Sequence, residues 1–139
     1  MLILLKTLLL LSGAAITWLG LNVGLGGMET LGWQGASDFI EVTDPDTFAI
    51  QDNHTRFIAG VWTCVGLLFV AGTFVLQQMR TVLIALSGMI FVGGLMRLTQ
   101  GDTTLLVGRD IAPSLVAELI LFPLLGLWIF GATKEADHV

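Results

Sequence analysis

Residues 115–125 read "LVAELILFPLL", and Glu118 is the only charged side chain between Asp110 and Lys134. Followed outward, the apolar stretch runs from Ala112 to Phe130. A hydrocarbon core of ~30 Å is crossed by about 20 mostly apolar helical residues, so a stretch of this length reads as a membrane span. It lacks the period-two alternation of a barrel strand, and in lipid only helices or closed barrels satisfy the backbone.

Three more stretches have the same character: Thr7 to Leu25, Phe57 to Leu76 and Thr81 to Leu98. With 55% hydrophobic residues, 12% charged residues and a mean hydropathy of +0.87, the chain lies outside the range of soluble domains. The expected fold is all-α: a transmembrane four-helix bundle forming a single domain over residues 1–139, with a long outer loop, 26–52, between the first two helices. The first apolar run is longer than that of a signal peptide, roughly 7 to 15 residues, and no small-x-small site precedes the polar loop, so it is read as a retained span.

Lys6, Arg80 and Lys134 fall on one side if the helices alternate, whereas residues 26–52 hold six acids and no lysine or arginine. This pattern places both termini in the cytoplasm. The outer loop is too long for a simple connection. Its Trp33, Phe39, Ile40, Phe48 and Ile50 suggest that it folds back on the bundle as a lid, against the plainer reading of a solvated acidic connector. Within it, "TDPDTF" at 43–48 is a helix start, with Asp44 as N-cap and Pro45 in the first helical position; Asp52 is a rival cap.

Counting ~1.5 Å per residue from the three inner basic markers puts Asn22, Arg97 and Glu118 at a common height of roughly 24 to 26 Å, near the outer surface. Arg56 enters from the outer side at almost the same level, with Asn53 and His54 one turn above. Charge at membrane depth costs a few kcal/mol, so these side chains are expected to face inward and pair. The expected core is an Arg97–Glu118 ion pair. Arg56 shares or competes for the carboxylate, and Asn22, Asn53 and His54 complete the network. Two arginines against one glutamate call for a further acid, Asp52 or Asp102, or an anionic ligand. Gly60, Gly93 and Gly94 are expected to allow close helix packing, and Pro123, which frees the Leu119 carbonyl, to bend the fourth helix beside Glu118.

Other signals are weak. Two histidines fall short of a metal ligand set, so no metal site is expected, and the lone Cys64 forms no internal disulfide. "GLGG" at 24–27 marks a helix end, and no basic stripe exists for nucleic acid.

The stretches "DNHTRFIAGVWTCVGLLFV" (52–70), "MIFVGGLMRLTQGD" (89–102) and "APSLVAELILFPLLGLW" (112–128) together resemble a group of small bacterial inner-membrane proteins, domain-of-unknown-function family 4345. The matching positions are Asn53, Arg56, Gly93, Gly94, Arg97 and Glu118, over roughly the last two-thirds of the chain. The resemblance implies a four-span protein of a bacterial inner membrane and supplies no activity, substrate or cofactor.

The favoured reading is a non-enzymatic accessory subunit or binding protein with a buried Arg/Glu cluster, no assigned catalytic residue and no cofactor. The alternative is a lipophile-binding protein or membrane enzyme acting on a quinone-like or lipid-like molecule. Beyond the bilayer itself, a lipid or quinone-like ligand, a membrane-protein partner or a second copy of the chain are the candidate partners.

Overall fold

In the computed structural model the described residues are 2–30 and 42–134, Lys134 by its backbone alone. Trp33, Phe39 and Ile40 of the expected lid, and the tail 135–139, lie outside the described residues. Helices account for the described secondary structure: α1 (Leu2–Gly26), α2 (Pro45–Phe74), α3 (Arg80–Leu98), a short α4 (Thr103–Leu106), α5 (Ala112–Val116) and α6 (Phe122–Lys134). A single 3₁₀ turn, Met28–Thr30, follows α1, and a π-helical turn, Ala117–Leu121, joins α5 to α6 in one continuous fourth long helix. Among the described residues, four helices are long and apolar enough to cross a membrane, as a transmembrane helical bundle requires.

The helix ends differ from the hydropathy boundaries for local reasons. α2 starts twelve residues before the apolar run, because Asp44 caps it: its Oδ1 accepts from the amides of Asp46 and Thr47 at 3.1 and 3.2 Å, and its Oδ2 accepts from the Thr47 hydroxyl at 2.7 Å. Pro45, with its fixed φ and no N–H to leave unpaired, fits the first helical position. Asp52, the rival cap, lies two turns inside α2. Gly27 ends α1 with φ +76°, its amide donating to the Val23 carbonyl at 2.7 Å, the left-handed closure that glycine allows most readily.

The chain divides into two compact units: residues 9–70, and residues 1–8 with 71–139. In the first, α1 and α2 meet through small residues. A Cβ on Gly13 would stand 2.8 Å from both the Gly66 carbonyl and the Val70 nitrogen, and one on Gly20 would stand 2.9 Å from the Ala59 carbonyl. Without a hydrophobic drive between helices in lipid, such backbone approach is a main source of attraction. Thr17 and Thr63 turn their hydroxyls back to the Gly13 and Ala59 carbonyls, at 2.8 and 2.9 Å, and so bring no unpaired polar group to this seam.

In the second unit α3 packs on the π turn and α6. The buried residues of α3 are Leu83, Ser87, Ile90 and Gly94, a stripe spaced by four, three and four. Facing it are Glu118, Phe122, Leu125, Ile129 and Thr133, spaced by four, three, four and four. Each series follows one face of a helix. Gly126 lets Ser87 approach, since a Cβ there would stand 3.1 Å from that of Ser87. At the end near Thr133, the Gln77 amide donates to the Thr133 carbonyl at 3.3 Å, and Arg80 lies 5.3 Å from the centre of the Phe130 ring.

Candidate functional site

At the opposite end of the two stripes stand Arg97 and Glu118. Arg97 is one residue from the end of α3 and one step beyond Gly94 in its buried stripe. Its Nε lies 2.8 Å from Oε2 of Glu118. Glu118 is buried at 8% exposure, while the Arg97 side chain is 42% exposed. The contact satisfies the distance of an ion pair but not the direction of a hydrogen bond. Among the described residues, no aligned donor serves the buried Oε2. The two facts agree once charge and direction are separated: proximity supplies Coulomb attraction, whereas a hydrogen bond weakens steeply when the N–H points away from the acceptor.

Two local features set this geometry. A Cβ on Gly94 would stand 2.9 Å from both Glu118 Cβ and Leu119 Cδ2, so glycine alone allows the fourth helix to lie this close. Glu118 also sits in the π turn, where the Phe122 amide donates to the Ala117 carbonyl, one residue further back than in an α-helix. Pro123 has no N–H for the Leu119 carbonyl, and the wider turn accommodates that loss just before it. The turn just before Pro123 is π-helical and carries Glu118.

The packing expected of three glycines falls to one of them. Gly93 and Gly60 are exposed, with no atom within 4 Å of a Cβ placed on either. The seam of α2 with α1 runs through Ala59, Thr63 and Gly66.

The remaining predicted residues lie in the other unit. Arg56 donates from Nε to Asp52 Oδ2 at 2.6 Å, and from Nη1 to the Leu25 carbonyl at 2.7 Å and the Gly24 carbonyl at 3.4 Å. Asp52 Oδ1 accepts from the Met28 amide at 2.6 Å. A cation on the terminal carbonyls of α1 satisfies groups that have no partner within the helix and complements the negative end of its dipole. Asn22 closes the same corner: its amide donates to the Thr30 carbonyl at 3.2 Å, and the Thr30 hydroxyl donates to the Asn22 carbonyl at 3.0 Å. Asn53 and His54 are exposed. Of the two acids considered for neutralising the arginines, Asp52 pairs with Arg56, while Asp102 caps α4 by accepting from the Leu105 amide at 3.1 Å.

Sequence reasoning gave Asp52 two roles, helix cap or neutralising acid, and missed its bond to Met28. The signal was available in its spacing: Asp52 and Arg56 are four apart on one helix, within pairing distance of each other.

A family described as a domain of unknown function (DUF4345) matches residues 4–129, so the likeness seen in the last two-thirds of the sequence extends through the first span and the loop after it. No curated protein and no solved structure matches the chain. A match over almost the full length, taking in all four long helices, shows that this chain belongs to the DUF4345 family.

Proposed function

We propose that this protein is a non-enzymatic binding protein of a bacterial inner membrane, with both termini in the cytoplasm, which holds the polar head of a membrane amphiphile at Arg97 and Glu118. The observation that carries the reading is the buried Glu118 Oε2, which has a cation 2.8 Å away but no aligned donor among the described residues. A buried acceptor without a hydrogen bond is costly, and a ligand donor would remove that cost. The half-exposed guanidinium beside it offers further N–H groups to an incoming anion or carbonyl.

The Asp52–Arg56 group supports the contrast. Both Asp52 oxygens accept hydrogen bonds, and Arg56 reaches an acid and two helix-end carbonyls, as a structural clasp does. Arg97 and Glu118 are not saturated in this way.

The test is native mass spectrometry of the protein extracted from its own membrane in mild detergent, with lipid and quinone analysis of the same sample. A stoichiometric small molecule on the wild type, depleted in folded Glu118→Gln, is the expected result. A partner protein with no small molecule would instead make the chain an accessory subunit.

A further inference from the structure

We infer that the amphiphile bound at Arg97 and Glu118 is a zwitterionic phospholipid of the phosphoethanolamine kind, its phosphate on the Arg97 guanidinium and its ammonium on the Glu118 carboxylate. The inference rests on the binding reading above and assigns the chemistry of the ligand. The site joins two unlike demands. Glu118, as a carboxylate, accepts hydrogen bonds only, and Oε2 lacks an aligned donor among the described residues. Arg97 donates only, and its guanidinium is a planar fork suited to phosphate. A headgroup carrying an anionic oxygen beside an N–H donor meets both, whereas an anion alone would leave the carboxylate unsatisfied.

Position favours a lipid headgroup over a ligand buried among the acyl chains. α3 ends at Leu98, one residue after Arg97, so the guanidinium stands at the end of a span. A helical side chain covers the turn on its N-terminal side, which for Arg97 contains Gly93. Gly93 is exposed and a Cβ there would touch nothing within 4 Å, so the approach to the guanidinium is not blocked by its own helix. Met96, next to Arg97 on the same helix, is 60% exposed and offers apolar surface beside the guanidinium.

The experiment uses delipidated full-length protein in detergent, titrated with phosphatidylethanolamine or phosphatidylcholine of identical acyl chains and read by native mass spectrometry. The two headgroups share the phosphate and the positive charge and differ in whether the nitrogen can donate. The wild type is expected to prefer phosphatidylethanolamine by roughly tenfold, the effect of one charge-assisted hydrogen bond. The mono- and dimethylated headgroups should fall between the two, a comparison that needs no variant. Glu118→Gln should abolish the preference, and Arg97→Gln should weaken both lipids. Equal affinity of the wild type for both headgroups, with binding still lost in Arg97→Gln, overturns the phosphoethanolamine assignment and leaves the binding reading standing. Failure of the wild type to hold either lipid, or any other component of a total membrane lipid extract, overturns both.

Discussion

Nε of Arg97 lies 2.8 Å from Oε2 of Glu118, yet the buried oxygen receives no aligned hydrogen bond from the described residues. The pair is asymmetric as well as misaligned, because the carboxylate is buried and the guanidinium is half-exposed. Removing the arginine should therefore cost more than neutralising the acid. Arg97→Gln leaves a buried carboxylate unpaired, at up to ~3 kcal/mol, the low end for a broken buried pair because the arginine is partly solvated. Glu118→Gln leaves a cation that can turn outward, and should cost about 1 kcal/mol. Denaturation in detergent of both variants and the double variant checks this; costs that simply add would mean that the two groups do not interact.

The adjacent glycines of α3 should respond oppositely to one methyl group. Gly94→Ala pushes a Cβ into Glu118 and Leu119, and overpacking of this kind costs roughly 1–3 kcal/mol. Gly93→Ala meets open space and should be neutral or stabilising by up to about 1 kcal/mol through helix propensity. Thermal unfolding of the two variants side by side is the check, and equal loss from both would place the wrong glycine in the seam.

Asp52 should control order at the end of α1. In Asp52→Ala the Met28 amide loses its acceptor and Arg56 loses its carboxylate. Hydrogen exchange at Met28 is then expected to quicken several-fold, with a smaller change at Gly27, whose amide is bound to Val23. An unchanged Met28 rate would show that the bond contributes little protection.

The N-terminus of α2 should loosen in acid. Asp44 is held below its ordinary value of 3.8, first by the Thr47 hydroxyl and then by the Thr47 amide, and partial desolvation opposes them. A depressed carboxyl contributes stability above its unfolded value that is lost as pH falls through the folded one. Exchange of the amides of Asp46 and Thr47 should thus rise on acidification in the wild type and be much less pH-responsive in Asp44→Ser, after correction for the intrinsic rates, since serine can still cap but does not titrate over this range. The same rise in both proteins would remove Asp44 as the cause.

Much of this architecture could be read from particular residues. Apolar length alone defines the spans, and Asp44-Pro45 marks the true start of α2 twelve residues ahead of the apolar run. Nearly equal residue counts, 17 from Arg80 to Arg97 and 16 from Lys134 back to Glu118, put those charges at close to one level. What escaped was direction and backbone detail. Period counting gave Gly93 and Gly94 equal standing, because neighbouring positions differ only in which way they face. Pro123 signals that a carbonyl loses its donor, but not that the helix answers with a π turn. Asp52 was ambiguous because a carboxylate can cap, pair or accept a distant amide, and that last contact depends on the tertiary return of the chain after Gly27.

The central claim, that Arg97 and Glu118 hold a ligand, is tested most directly by thermal stability measured with and without added lipid. Delipidated wild-type protein and Glu118→Gln would be melted in detergent, with and without a total membrane lipid extract. A ligand that binds only the folded state raises the melting temperature, by an amount that grows with the logarithm of its concentration relative to its Kd. The account predicts a clear rise for the wild type and a distinctly smaller one for Glu118→Gln. The same rise in both proteins would contradict it, and would place the stabilising lipid elsewhere on the protein.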